Sequence, residues 1–138
     1  MLKNYIFIKL ATFKSPEVVS KLSPQEIFNK ISNLNNLKSI LPNEIQNFSA
    51  TENTCSFKID KLPEMNLKIQ NKTKYNKISL IAVDSKIPFC LNVNINEFDQ
   101  KSNVLLEIEA EVNFMMKLMM EKPLTELLNT LSKKIKDL

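Results

Sequence analysis

LEIEAEVNFMMKLMMEKPLTELLNTL, residues 106–131, is the stretch on which the fold turns. In its first seven residues Leu106, Ile108, Ala110 and Val112 alternate with Glu107, Glu109 and Glu111. A period of two is that of a half-buried strand. After Asn113 the period lengthens: Met116, Met120, Leu124, Leu127, Leu131 and then Leu138 follow one helical face, flanked by Met115, Met119, Leu128 and Ile135. Asn113 can cap this helix by accepting from a backbone N–H that has no intrahelical partner. The apolar face is wide and about six turns long. Pro123 lies inside it, where it removes a backbone bond and crowds the carbonyl four residues earlier, so a bend is expected near residues 119–122. The stretch predicts a strand feeding directly into a long amphipathic helix.

Working upstream, the period of two recurs. Cys55, Phe57 and Ile59 form one apolar set, Met65, Leu67 and Ile69 the next, then Ile78, Leu80 and Ala82, then Phe89, Leu91, Val93 and Ile95. Ile45 and Phe48 open an earlier strand imperfectly, three residues apart instead of two. The connections are a few residues long, which suits antiparallel hairpins; parallel pairing needs crossovers of a dozen residues or more. The chain has no Gly, so any left-handed turn position falls to Asn or Asp.

Toward the N-terminus, residues 13–22 contain Val18 and Val19 and are bounded by Pro16 and Pro24, the pattern of an edge strand. Ser23-Pro24-Gln25-Glu26 then combines an N-cap serine, a proline at the first helical position and a glutamate at the third. A helix starts at Pro24. Its stripe of Ile27, Phe28, Ile31 and Leu34 resumes at Leu37, Ile40 and Leu41 after an Asn-rich interruption, giving two short helices before Pro42 ends the second.

With 138 residues, 43% apolar and 25% charged, the chain has the make-up of one ordered domain spanning residues 1–138, with residues 1–12 expected as a loosely attached extension. The absences matter more. Without His there is no Ser-His or Cys-His pair and no imidazole ligand or base, which excludes most hydrolase designs. All 19 basic residues are lysine, so no guanidinium can clamp a carboxylate, phosphate or guanine. The net charge of +4 is spread singly, and the one basic cluster, Lys133, Lys134 and Lys136, sits where it complements a helix C-terminus. No nucleic-acid partner is expected. Cys55 and Cys90 lack metal-site spacing and read as small buried hydrophobes in a reducing compartment. The apolar run at residues 5–8 is too short for a signal core or a span, so no membrane insertion and a cytoplasmic address are expected.

The order strand, two helices, about six antiparallel strands and a long C-terminal helix resembles the helix-grip fold of the SRPBCC superfamily, in particular its small bacterial members. That superfamily includes START lipid-transfer domains, plant pollen-allergen-like proteins and polyketide cyclases. The resemblance rests on "SPQEIFNKISNLNNLKSILP", on "CSFKI" followed by "LKI", and on the stretch quoted first; it runs from about residue 13 to the C-terminus. It implies an α+β fold in which a curved antiparallel sheet of six to seven strands wraps the long helix and leaves a cavity for a small hydrophobic molecule. By resemblance, Phe57, Ile59, Leu67, Ile69, Leu80, Phe89, Leu91, Val93, Leu106, Ile108, Met116, Met120, Leu124 and Leu127 would line it. The same residues could equally fill a solid core, because a domain of this size needs most of its periodic apolar residues for stability.

Met115, Met116, Met119 and Met120 place four flexible, polarizable side chains on one and a half turns, a surface that can serve a ligand pocket, a protein-binding groove or an irregular core. Glu107, Glu109 and Glu111 share one strand face and read as its solvent side. Glu64, Tyr75, Asp84 and Lys86 fall in loops that could edge a cavity mouth, with no spacing to support them. The inward faces offer no ionisable side chain except the Cys55 thiol, so no acid/base pair is in view. Three functions compete: non-catalytic binding of a lipid-like ligand in a cavity of roughly several hundred Å³, with no cofactor; a protein-interaction or assembly module, homodimeric or with another protein, using the methionine-bearing face; and a polyketide cyclase-like enzyme.

Overall fold

Eleven elements follow one another in the computed structural model, which describes residues 9–85 and 87–138. They are β1 (Lys9–Lys14), β2 (Val18–Ser20), α1 (Pro24–Ile31), a 3-10 helix (Leu34–Ile40), β3 (Ile45–Ala50), β4 (Thr54–Ile59), β5 (Met65–Thr73), β6 (Lys77–Ala82), β7 (Phe89–Phe98), β8 (Lys101–Val112) and α2 (Phe114–Lys136). All strands join one antiparallel sheet in the order β1-β8-β7-β6-β5-β4-β3, with β2 also paired to β8. From β3 to β8 each strand pairs with the next, as the short connections require. α2 packs against β8, β1 and β2 and touches the 3-10 helix. Two short helices, a sheet of eight segments and a long C-terminal helix make up the α+β helix-grip architecture expected.

The first strand departs from expectation. It begins at Lys9, earlier than residue 13, and breaks in two at Pro16. Lys9–Thr12 pair with residues 109–112 of β8, so they belong to the sheet and are no loose extension; residues 1–8 lie outside the described residues. The break has a local cause. Proline has no N–H for the ladder, and Ser15 takes over: its N–H donates to the Leu106 carbonyl and its Oγ accepts from the Leu106 N–H, both at 2.9 Å. Buried Ser102 likewise donates to the Leu22 carbonyl at 2.7 Å, fixing the turn into α1.

At Ser23 the capping box forms in both directions, Oγ accepting from the Glu26 N–H and Glu26 Oε1 accepting from the Ser23 N–H, each at 3.2 Å. The second short helix is 3-10 and not α, and Leu41 before Pro42 adopts an extended conformation that ends it. Asn113 Oδ1 accepts from the Met116 N–H at 2.8 Å, and α2 continues unbroken through Pro123. In the absence of Gly, positive φ falls to Asn47, Asp60, Asp84 and Asp99, as expected, and also to Tyr75 and Gln100. The Tyr75 ring meets Phe28 edge to face at 5.5 Å, which ties that strained turn to the core.

Candidate ligand-binding site

A single register defines the concave face. Phe13 pairs with Ile108, Ile108 with Leu91, Leu91 with Leu80, Leu80 with Ile69, and farther along Leu67 with Cys55. Side chains at these positions point toward α2, which sends Met120, Leu124, Leu127 and Leu128 to meet them, all at most 3% exposed. The 3-10 helix adds buried Leu34 and Ile40.

β3 reaches the same interior only through a bulge. Gln46 pairs with Lys58 and Ser49 with Ser56, so Asn47 and Phe48 together oppose the single residue Phe57. Asn47 takes a left-handed φ of 55° to absorb the extra residue. The result returns Phe48 to the concave side that Ile45 began, and the irregular spacing of those two residues in the sequence is explained.

Between sheet and α2 these residues enclose an apolar cavity of about 90 Å³. That is well below the several hundred Å³ expected, because side chains from α1, the 3-10 helix and β3 fill much of the space under the sheet. Of the residues singled out from the sequence, Phe57, Leu67, Leu80, Phe89, Leu91, Val93, Leu106, Ile108, Met120, Leu124 and Leu127 stand on its wall. Ile59, Ile69 and Met116 do not. Ile59 is buried in the core near the end of β4, Ile69 lies next to the second bulge at Gln70, and Met116 is half-buried on the first turn of α2. Of the other methionines in the cluster, Met115 and Met119 face outward.

Ile31, Leu34, Leu37, Ile40, Leu41, Ile45, Phe48, Cys55, Met65, Ile78, Leu128, Leu131 and Ile135 complete the wall. The stripe through Ile31, Leu34 and Leu37 was visible as helical periodicity, but nothing local told that it faces the sheet interior. All 24 wall residues are aliphatic, aromatic or sulfur-bearing, and none carries a charge or a hydroxyl. Cys55 is the one ionisable group. Burial pushes its thiol up to about 11, so it stays protonated and poorly nucleophilic at neutral pH. Phe57, Phe89 and Leu91 are half-buried on the sheet itself; the other half-buried wall residues, Leu37, Leu41, Ile45, Phe48 and Leu131, gather on the side where α2 faces β3 and is packed less than against β1, β2 and β8. There Thr130 Oγ1 donates to Glu44 Oε2 at 3.4 Å, a long tie between α2 and the approach to β3.

The loop candidates give no polar rim. Glu64 and Asp84 are exposed and absent from the wall, Tyr75 packs on Phe28, and Lys86 lies outside the described residues. The three glutamates occupy the convex face, where Glu107 pairs with Lys14 at 3.5 Å. Asn92 neighbours Glu107 across the sheet and is held by Ser79 Oγ donating to its Oδ1 at 2.8 Å. Among the described residues no helix is long and apolar enough to cross a membrane.

Solved structures share this arrangement. Norcoclaurine synthase from Thalictrum flavum superposes with a TM-score of 0.73 over 99% of this chain and 90% of that one, at 11% identity. The chain has the helix-grip fold. An uncharacterised protein from Bacillus thuringiensis (TM-score 0.60, 11% identity, 93% of this chain and 98% of that one) and XoxI from Bacillus cereus (0.60, 13%, 93% and 96%) are similar to it as well. The norcoclaurine synthase has also been solved in complex with dopamine and hydroxybenzaldehyde, and that structure superposes at 0.69 over 99% of this chain and 90% of that one, at 9% identity. At such identities the likeness is one of fold. No protein-family model and no curated protein matches the chain.

Proposed function

We propose that this protein binds, without catalysis, a small wholly apolar molecule or the hydrocarbon part of a lipid between the sheet and α2. The observation that carries the reading is the wall itself, 24 residues with no charged or hydroxyl-bearing side chain. A ligand hydroxyl or carbonyl buried there would lose its water and find no partner, at a cost of about 1–3 kcal/mol per group. Hydrocarbon incurs no such loss and gains about 0.8 kcal/mol per buried CH₂. Ligands such as hydroxybenzaldehyde therefore suit the Thalictrum enzyme and not this interior. The absence of an acid/base pair on the wall, with Cys55 held as a neutral thiol, supports binding over catalysis.

Size sets a second condition. Ligand pockets usually measure about 300–1,000 Å³, and even benzene occupies a cavity of about 150 Å³. A cavity of about 90 Å³ must widen to admit a chain. The half-buried side chains of the 3-10 helix and β3 are the ones that can move apart from α2 at least cost, and Met65 and Met120 can re-pack around varied shapes.

The test is a titration of the labelled protein with decanoate and, separately, with 4-hydroxybenzaldehyde, followed by the methyl NMR signals of Met120, Leu124 and Leu127. Decanoate shifts these signals and the aldehyde leaves them in place. Leu91→Phe, which fills the void, abolishes the decanoate response while the thermal midpoint stays within a few degrees. Unmoved signals with decanoate would end the proposal.

A further inference from the structure

The outward side of the first turns of α2 has no role in the cavity and no partner among the described residues. Phe114, Met115, Leu118 and Met119 are 72%, 72%, 53% and 59% exposed. Their spacing puts them in one stripe along the helix, opposite the buried Met120 and Leu124 and bounded at its C-terminal end by exposed Lys122, four residues after Leu118. An anionic membrane surface would reward local basicity, at about the same gain for each lysine that it loses for each acid. Lys117 and Lys122 are offset by Glu111 and Glu121, so the stripe has no such bias.

We infer that this stripe is the contact surface of a homodimer in which the first turns of α2 from two copies pack antiparallel about a two-fold axis beside Met119. Its flanking charges fit a second copy of the same chain. Lys117 and Glu121 are four residues apart and so lie on one flank of the stripe. In an antiparallel pair each flank meets the same flank of its partner, and an axis at Met119 sets Lys117 against Glu121 of the partner subunit, and Glu121 against Lys117 of the partner subunit. Neither residue is in an ion pair among the described residues. A parallel pair would instead set this flank against the opposite one, where Met116 and Pro123 offer no charge. Four side chains exposed to this degree offer on the order of 500 Å², short of the roughly 800 Å² per partner of a standard interface. The dimer is therefore reversible and dilutes to monomer.

Sedimentation velocity on the full chain over a wide concentration range tests this, with circular dichroism to verify that each variant is folded. The wild type passes from monomer to dimer as concentration rises. Met119→Lys weakens association by about a hundredfold, and Lys117→Glu by about tenfold, because like charges then face each other. The double variant Lys117→Glu/Glu121→Lys restores the wild-type constant, since both reciprocal pairs are re-formed with reversed sign. A wild type that stays monomeric throughout overturns the inference, as does a double variant no better than Lys117→Glu. Flotation of the monomer with vesicles of phosphatidylcholine and phosphatidylserine, without dimer in solution, overturns it in favour of a membrane surface. None of these outcomes depends on ligand in the cavity.

Discussion

The two ends of α2 obey different rules. In its C-terminal half the inward Leu127, Leu128, Ser132 and Ile135 are buried while the outward positions are Asn129, Lys133, Lys134 and Lys136, the division expected of a helix lying on a core. In the first turns Met120 goes inward, yet the outward side is apolar too. Burial alone gives no reason to place phenylalanine, leucine and two methionines in water. A helix that keeps its amphipathic division over its C-terminal half and abandons it over its first turns carries there the apolar patch we assign to the contact with a second copy.

Cutting side chains at the two ends gives the largest expected contrast. Leu128→Ala, at a fully buried position, lowers unfolding stability by about 3 kcal/mol in urea titrations. Leu118→Ala, measured in dilute monomer, changes it by about 0.5 kcal/mol or less. Equal losses would mean that the stripe is packed within the monomer and that the contrast is false.

The next largest effect is on the inner wall. Burial raises the Cys55 thiol from an ordinary 9.0 to about 11. Between those values the unfolded chain has released a proton that the folded chain retains, so stability falls as pH rises. The contribution is fully present below about 9 and lost progressively toward 11. The quantity to measure is the difference in slope between wild type and Cys55→Ala, which isolates the thiol. The variant lacks this component of the slope; identical slopes would mean that the thiol is not held on a dry wall. Half-buried Cys90, on the convex face, reacts with iodoacetamide in the folded protein before Cys55 does.

Smaller still is the cap. Asn113→Ala removes the side-chain acceptor for the Met116 N–H and costs about 1 kcal/mol. Because the outward side of the first turns gains nothing from the monomer's core, amide exchange should speed up there and hardly change near Leu128. A uniform increase along α2 would show that the helix opens as one unit. The smallest effect lies outside the helix. Asp99 and Gln100 both take positive φ in the two-residue turn between β7 and β8, and Gln100→Gly stabilises by up to about 1 kcal/mol. No change in midpoint would mean that the turn relieves its strain elsewhere.

Much of this was legible in the residues because it depends on near neighbours. Ser23 to Glu26 dictates a cap whose donors and acceptors lie within four residues. Alternation along residues 106–112 identifies β8 and its inner face before any partner strand is known. Eleven of the candidate wall residues reached the cavity because a strand phase, once set, fixes which side each residue takes. Ile59, Ile69 and Met116 kept that phase yet sit beyond the void, where bulges, strand ends and helix turns carry them away from it.

The sequence by itself determined the hairpin succession, the caps and the apolar phase of every long element, since these follow from backbone sterics and from side-chain spacing along a single segment. Only the tertiary structure decided that Lys9–Thr12 complete the sheet against β8, that the Asn47 bulge turns Phe48 inward, and that the interior retains about 90 Å³. It also decided that two of the four clustered methionines face outward. Void volume is the small difference between an enclosed space and the side chains that fill it from many separate segments. No single segment contains that difference, and an apolar face looks the same in sequence whether a core, a ligand or another molecule covers it.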